Sequence, residues 1–259
     1  MKHNYLFPEG RIKNTLRNIK FFLRDLTLNL KHKLNFLSFK EQKQNKIYTY
    51  TFKSGIKIKS IKKLFLDYSE ILPGYLKYWR PEENSIIIDA GAFYGMFSIY
   101  CSKRMKNTGK IYAFEPEPEN LEILRQNIKI NNCKNIEIIE KALWNKITKL
   151  KFSDKVITDN SEAKKTTIVQ TTTIDNFVEK ENLKQLNMIK MDIEGNEIQA
   201  IQGAEQTIKK FHPYLAIASY HEVNKIKTWK YLENFLKKFY KKTKTTHPKH
   251  LTTYGLAEE

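Results

Sequence analysis

Cysteine and long apolar runs are both scarce in this sequence. Its 259 residues contain two cysteines, Cys101 and Cys133, which match no zinc motif and are too few for a disulfide framework. No apolar stretch approaches the roughly 20 residues that a membrane-spanning helix needs. The first residues, Met1–Pro8, also lack the apolar core of a secretory signal. These absences argue against a disulfide-rich secreted domain, and we expect a cytoplasmic protein in a reducing compartment.

Acidic residues are few relative to basic ones. The chain has 46 lysines and arginines against 28 aspartates and glutamates, which gives a formal net charge of +18. Such an excess raises the affinity for nucleic acid, anionic lipid or acidic substrates. The lysines are scattered rather than clustered with aromatic residues, so a bias in composition explains the charge more simply. A nucleic-acid partner stays open as an alternative.

The most informative stretch of the chain contains only two glycines. Residues 86–95, of sequence IIIDAGAFYG, predict a buried strand that ends in Asp89 and a glycine turn that opens a helix. A dinucleotide-binding turn has the pattern G-x-G-x-x-G, so that the backbone can approach the pyrophosphate. Counted from Gly91, its second and third glycines would fall on Phe93 and Met96. The turn therefore suits S-adenosylmethionine, which has no phosphate, better than a dinucleotide.

A second strand ends in the same way, at Ala113–Pro116. Glu115 follows Gly91 by close to the roughly 20 residues at which an acid meets the ribose hydroxyls of a nucleotide. Asp89 is expected near the cationic methionine end of the cofactor, or on a water bound there. The alternative for Asp89 and Gly91 is an ordinary strand-to-helix turn. The cofactor contacts predicted on these two segments are Asp89, Gly91, Ala92, Phe93, Tyr94, Gly95, Glu115 and Pro116.

From residue 85 onward, strand and helix patterns alternate. This alternation predicts an α/β fold with a doubly wound, mostly parallel, seven-stranded Rossmann-like sheet. A helix is expected over Glu197–Lys210, and two antiparallel edge strands are expected at Tyr240–Thr246 and His250–Tyr254. The other strands of this sheet are predicted at Lys110–Phe114, Ile136–Ile139, Met188–Met191 and Tyr214–Ser219.

Residues 1–80 are predicted to form an N-terminal extension, and residues 81–259 the main domain. Apolar residues at helical spacing over Leu16–Leu37 predict a helix that packs on the main domain or on a partner subunit. Its basic residues leave contact with an anionic membrane surface as an alternative. The segment Ile47–Lys59, with a turn at Gly55, predicts a β-hairpin. The oligomeric state is not predicted.

Three motifs follow one another within residues 65–225. They are residues 88–95 (IDAGAFYG), 113–120 (AFEPEPEN) and 189–197 (IKMDIEGNE). In wording, order and separation they resemble the FkbM family of S-adenosylmethionine-dependent methyltransferases. The resemblance implies a seven-stranded methyltransferase fold and, commonly, O-methylation of sugars or natural-product hydroxyls. It also implies that the loop at Leu143 faces the adenine and that Asp192 lies beside the cofactor.

The chain departs from the family pattern at two positions. The family usually has Asn where this chain has Phe93, so a hydrogen bond from that side chain to the cofactor is lost or replaced by packing. The fifth strand of the family often ends in Glu-x-His, whereas this chain has Ser219-Tyr220-His221. The histidine is kept and the carboxylate is not.

Methyl transfer to an alcohol requires a group that accepts the proton of the attacking hydroxyl. The candidates at the ends of the fourth and fifth strands are Asp192, Glu194 and His221. An unperturbed histidine has a pKa near 6.5, which suits a base near neutral pH, although His221 could equally be hydrogen-bonded to a loop. Asp192 is expected to orient the substrate, accept its proton or contact the methionine amine, or else to cap the following helix.

A metal site is not predicted. Glu194 and Asp192 could together hold a divalent cation through oxygen ligands, but two carboxylates are too few to define such a site. Glu197 is expected to stabilise the N-terminus of the helix that it begins.

The function predicted from these residues is S-adenosylmethionine-dependent O-methylation of a hydroxyl on a sugar, glycan or other small molecule. One alternative is an RNA or DNA methyltransferase, which the net charge favours. Against it, the chain has no Asn/Asp-Pro-Pro-Tyr-type motif for amino-group methylation and no Pro-Cys nucleophile. The other alternative is a non-catalytic nucleoside-binding scaffold on the same fold.

Overall fold

The computed structural model of the chain describes residues 39–61, 74–153, 156–158, 166–223, 226–246 and 251–257. The helix predicted over Leu16–Leu37 lies outside these residues. Within the described ranges, every helix is too short or too polar to cross a lipid bilayer.

The described strands and helices alternate along most of the chain. The strands are β1 (Phe39–Gln44), β2 (Ile47–Phe52), β3 (Lys57–Ser60), β4 (Ile86–Ala90), β5 (Lys110–Phe114), β6 (Ile136–Ile139), β7 (Ala142–Leu143), β8 (Lys149–Ser153), β9 (Val156–Thr158), β10 (Thr166–Thr172), β11 (Met188–Met191), β12 (Tyr214–Ala218), β13 (Glu222–Val223), β14 (Ile226–Lys227), β15 (Lys242–Thr246) and β16 (Thr252–Leu256). The helices are α1 (Met96–Arg104), α2 (Pro118–Ile130), α3 (Ile174–Lys180), α4 (Glu197–Gln202), α5 (Glu205–Phe211) and α6 (Thr228–Leu236).

The centre of the fold is a seven-stranded sheet of order β15-β16-β12-β11-β4-β5-β6. The five strands from β12 to β6 are parallel to one another, so the predicted mostly parallel Rossmann-like sheet is confirmed. Strands β4, β11 and β12 are short, apolar and buried almost throughout. Such runs are typical of parallel strands that are covered on both faces by helices.

Alternate side chains of each central strand enter two different hydrophobic clusters. Ile87 packs with α1 and with residues of β2 and β3 on one face of the sheet. Ile88 packs on the other face, with residues of α3, α4, α5 and α6. Because successive side chains of a strand point to opposite faces, the sheet becomes the middle of three layers.

The predicted N-terminal hairpin is present as β2 and β3, and β1 adds a third antiparallel strand to it. Asn127 of α2 and Asn131, which follows the last residue of α2, bind the backbone of β3 in the way that a neighbouring strand would. Asn127 Oδ1 accepts from Lys59 N at 2.7 Å, and Asn127 Nδ2 donates to Lys59 O at 3.0 Å. Asn131 makes the same pair of bonds with Lys57, at 2.9 and 2.6 Å. Helix α2 therefore covers part of the polar backbone of β3.

Two predicted elements differ from the structure. The single helix expected over Glu197–Lys210 is divided into α4 and α5. The interruption contains Gly203, whose backbone lies so close to the Trp144 carbonyl that a Cβ atom there would overlap it. Of the two C-terminal edge strands, only β16 runs antiparallel to β12. β15 pairs antiparallel with β16 and therefore runs in the direction of the parallel strands. The β16 strand is inserted between β12 and β15, so it is not an edge strand.

The region after β6 forms a separate four-stranded sheet of order β7-β10-β8-β9. Helix α3 follows β10 directly. Thr173 caps this helix, because its side-chain oxygen accepts from Asn176 N at 2.9 Å.

Candidate active site

Four parallel strands end at one edge of the central sheet. β4, β5, β11 and β12 are consecutive in the order β5-β4-β11-β12, so the loops that follow them lie side by side. These loops carry the residues predicted to bind the cofactor and to handle the proton. In open α/β sheets, ligands bind in the crevice outside this edge.

Gly91 brings the loop after β4 against the loop after β11. Its φ is +79°, and a Cβ atom at this position would overlap the carbonyl oxygen of Asp192. The turn is held from the other side because the Gly91 and Ala92 amides both donate to Phe114 O, at 3.0 and 2.9 Å. Only glycine combines this backbone conformation with so close an approach.

The next residues of the turn place two aromatic rings at the crevice. Phe93, which also has a positive φ of 51°, is partly buried and stacks on Tyr94 with ring centroids 3.7 Å apart. Tyr94 is fully buried, and burial raises its pKa to about 12. Its hydroxyl has no hydrogen-bond partner among the described residues. Gly95 then begins α1 with a φ of 86°.

Glu115 lies at the end of β5, next to this turn. Its Oε2 accepts from Phe93 N at 2.8 Å, and its Oε1 accepts from Glu117 N at 3.0 Å and from Asn120 Nδ2 at 3.1 Å. Burial raises the pKa of Glu115, although these hydrogen bonds act against that rise. The adjacent Pro116 is partly buried. Glu115 thus lies at the position predicted for an acid facing the cofactor ribose, and it also anchors the Phe93 turn.

Asp89 takes part in a buried ion pair that the sequence did not predict. Its side chain has no solvent exposure, its Oδ1 accepts from Lys190 Nζ at 2.9 Å and its Oδ2 accepts from Ser98 Oγ at 2.6 Å. Lys190 Nζ also donates to Gly91 O at 2.8 Å. The ammonium group lies 5.5 Å from the centroid of the Tyr75 ring. Asp89 therefore positions Lys190 and, through it, the Gly91 turn.

Asp192 follows β11 and is held by two tyrosines. Its Oδ2 accepts from Tyr75 Oη at 2.9 Å, and its Oδ1 accepts from Tyr220 Oη at 3.0 Å. Tyr75 is fully buried, and burial raises its pKa well above the usual value. The orientation of the Asp192 carboxylate is therefore fixed from the N-terminal side of the domain and from the loop after β12.

His221 lies among the acids of the β11 loop. Its Nδ1 is 3.3 Å from Glu197 Oε1, and its Nε2 is 3.8 Å from Glu194 Oε2. Burial lowers the pKa of His221, but these two carboxylates raise it by more, to about 10. These contacts move the pKa of His221 away from that of a free histidine, and its role as a base remains a prediction.

Glu197 is fully buried at the start of α4. Its Oε1 accepts from Ile193 N at 2.9 Å and from Gly195 N at 3.3 Å, so it closes the turn that precedes the helix, as expected for an acid at this position. Its Oε2 has no hydrogen-bond partner among the described residues. One ligand atom each from Asp192, Glu197 and His221 lie within 4.8 Å of one another.

Comparison with known proteins agrees with this geometry. The model of the methyltransferase FkbM domain matches residues 89–243, which is more than half of the chain. The chain belongs to the FkbM methyltransferase family. It carries the S-adenosylmethionine-dependent methyltransferase domain of that family, and the resemblance stated from its three motifs is confirmed.

Individual FkbM relatives are distant. The chain is 25% identical over 153 residues to Methyltransferase 1 of Beauveria bassiana, covering 48% of this chain and 59% of that protein. It is 24% identical over 132 residues to the hexuronic acid methyltransferase AglP of Haloferax volcanii, covering 49% of this chain and 53% of that protein. The matched regions thus span little more than half the length of these two relatives.

The FkbM fold is also seen in a solved structure. The crystal structure of methyltransferase FkbM from Methylobacillus flagellatus KT superposes with a TM-score of 0.56 at 20% identity. The match covers 71% of this chain and 47% of that one. At this identity the likeness shows the fold alone.

The FkbM motifs identified the loops of the site but not the contacts within it. Leu143, predicted to face the adenine, is buried in the cluster that contains Phe114 and Phe177. The sequence did not predict that Tyr75 and Tyr220 bind Asp192 directly. Lys190 lies inside the third motif, two residues before Asp192. A lysine within an otherwise apolar strand was the sequence signal that could have pointed to a buried ion pair.

Proposed function

We propose that this protein transfers the methyl group of S-adenosylmethionine to a hydroxyl of a sugar, glycan or other small molecule. The observation that carries the proposal is the contact between the Gly91 turn and the Asp192 loop. This contact brings the methyl donor next to ionisable side chains that can receive the proton of a hydroxyl. A sugar acceptor is supported by the relative from Haloferax volcanii, which is named a hexuronic acid methyltransferase.

At the cofactor end, we assign binding to the two loops that follow β4 and β5. The turn from Gly91 to Gly95 would lie beside the methionine and ribose, and Glu115 Oε2, which accepts a single hydrogen bond from Phe93 N, would have a second lone pair for a ribose hydroxyl. Pro116 and Leu143 belong to the adenine side. Asp89 acts through Lys190, because both of its carboxylate oxygens are already engaged inside the protein.

At the acceptor end, bound S-adenosylmethionine would supply the activated methyl group. The proton of the acceptor hydroxyl would pass to a carboxylate of the site. Glu194 suits this role because its side chain is 55% exposed, whereas both oxygens of Asp192 accept from tyrosines. Asp192 orients the acceptor. His221 Nε2 lies 3.8 Å from Glu194 Oε2 and helps to orient that carboxylate.

The test is methyl transfer from isotopically labelled S-adenosylmethionine, measured by mass spectrometry on a panel of hexuronic acids, neutral sugars and RNA. We expect label on a hydroxyl of a sugar. His221→Ala should leave cofactor binding by calorimetry unchanged and lower turnover at least about tenfold, because it removes a group at the reacting centre.

Two results would contradict the proposal. Absence of cofactor binding in the wild-type chain would favour a scaffold, and label found in RNA would favour the nucleic-acid alternative. Unchanged turnover of His221→Ala would remove this residue from the acceptor site.

A further inference from the structure

The crevice contains a group of donor atoms that the transfer reaction does not fully use. One ligand atom each from Asp192, Glu197 and His221 lie within 4.8 Å of one another, at the ends of β11 and β12. Two are carboxylate oxygens and one is an imidazole nitrogen. This spacing is close to that of neighbouring ligands around one metal ion.

Several of these atoms are buried without a hydrogen-bond partner. Glu197 has no solvent exposure, and its Oε2 has no hydrogen-bond partner among the described residues. The His221 side chain is 10% exposed, and its ring nitrogens face Glu197 and Glu194 without a hydrogen bond to either. The 3.3 Å contact between His221 Nδ1 and Glu197 Oε1 does not have hydrogen-bond geometry. Buried polar atoms without a hydrogen-bond partner are unfavourable. Their concentration at one point indicates that something else satisfies them.

The same side chains are held in place by groups outside the cluster. Tyr75 and Tyr220 donate to the Asp192 carboxylate, and the Ile193 and Gly195 amides donate to Glu197 Oε1. Metal ligands in proteins are typically oriented by such outer hydrogen bonds.

We propose that Asp192, Glu197 and His221 bind a divalent cation. Carboxylate oxygens suit Mg²⁺ and Mn²⁺, and the imidazole extends the set toward Mn²⁺ and other transition metals. Three protein ligands leave coordination positions open, and an acceptor hydroxyl bound there would lose its proton more readily. This last role rests on the proposed function, whereas cation binding itself does not. Glu194 is not one of these three ligands, and it would remain the proton acceptor.

The test is titration of the full chain with Mn²⁺, followed by the loss of the electron paramagnetic resonance signal of free Mn²⁺. We expect one saturable site in the wild-type chain. Glu197→Gln and His221→Gln should each weaken binding at least about tenfold, since each removes a ligand. Gln at position 197 keeps an oxygen that can accept from the Ile193 and Gly195 amides, and circular dichroism verifies the fold of both variants.

Glu205→Gln is the matched control, because it removes the same charge from an exposed side chain of α5 that pairs with Lys209. It should bind Mn²⁺ as the wild type does. The proposal is overturned if folded wild-type protein leaves millimolar Mn²⁺ free, or if Glu205→Gln weakens binding as much as Glu197→Gln. Because this titration requires neither cofactor nor acceptor, its outcome is separate from that of the methyl-transfer assay.

Discussion

At the scale of single residues, the shape of the site is fixed by contacts among its own residues. Lys190 joins Asp89 to the carbonyl oxygen of Gly91, and Gly91 in turn lies against Asp192. A buried charge that loses its partner is strongly destabilising, so the Asp89–Lys190 pair couples the fold to the shape of the turn.

The close approach at Gly91 leads to a test on cofactor binding. Gly91→Ala forces a Cβ atom into the Asp192 carbonyl, so the two loops must separate. We expect the affinity for S-adenosylmethionine to fall at least about tenfold in calorimetry, because displaced binding groups lose their alignment.

Gly55→Ala is the control for the backbone strain. Gly55 has a φ of +85°, close to that of Gly91, but a Cβ atom there would meet nothing within 4 Å. Both variants carry the same penalty for a left-handed alanine, about 1–2 kcal/mol. Equal loss of cofactor affinity in the two variants would mean that strain, and not the contact with Asp192, explains the effect.

At the scale of elements, helix α2 links the N-terminal sheet to the cofactor turn. Asn127 binds Lys59 N and O of β3, and its Nδ2 also donates to Tyr94 O at 2.9 Å. Its side chain is fully buried, its hydrogen bond to Tyr94 O is buried as well, and its two hydrogen bonds to Lys59 are partly buried.

Asn127→Leu is therefore expected to destabilise the protein. Leucine has a similar volume but cannot bind the buried Tyr94 carbonyl or the partly buried amide and carbonyl of Lys59, so the free energy of unfolding should fall by at least about 2 kcal/mol. Gln126→Leu is the matched control, because Gln126 Nε2 donates at the surface to Glu122 of the same helix. Denaturant unfolding that gives the same value for both variants would contradict this role for Asn127.

The elements themselves were largely predictable from the sequence, whereas their contacts were not. Strands β5, β6 and β11 have the predicted bounds, because each is a short, mostly apolar run followed by an acid, which is a local signal in the sequence. The break at Gly203 depends on the Trp144 loop, which is distant in sequence. The pKa of His221 likewise depends on Glu194 and Glu197, whose proximity only the folded loops create.

At the scale of the whole molecule, the N-terminal sheet and the central sheet share one hydrophobic cluster. Tyr50, Phe52 and Ile58 pack in the same cluster as Ile87 and Ile111. The division into an extension of residues 1–80 and a domain of residues 81–259 was inferred from a change in the sequence pattern, and it remains a prediction. In the described part, residues from both sides of that boundary line the Asp192 site, since Tyr75 binds its carboxylate.

The net charge of +18 gives a test at this same scale. If the charge is compositional, RNA binds the protein only through scattered lysines, and filter binding should be measurable at low salt and lost near physiological salt. We also expect no methyl label in the bound RNA at any salt concentration, because the candidate site contains no motif for methylation of a base. Methylated RNA, or binding that persists in physiological salt with saturable stoichiometry, would show instead that the positive charge serves a nucleic-acid substrate.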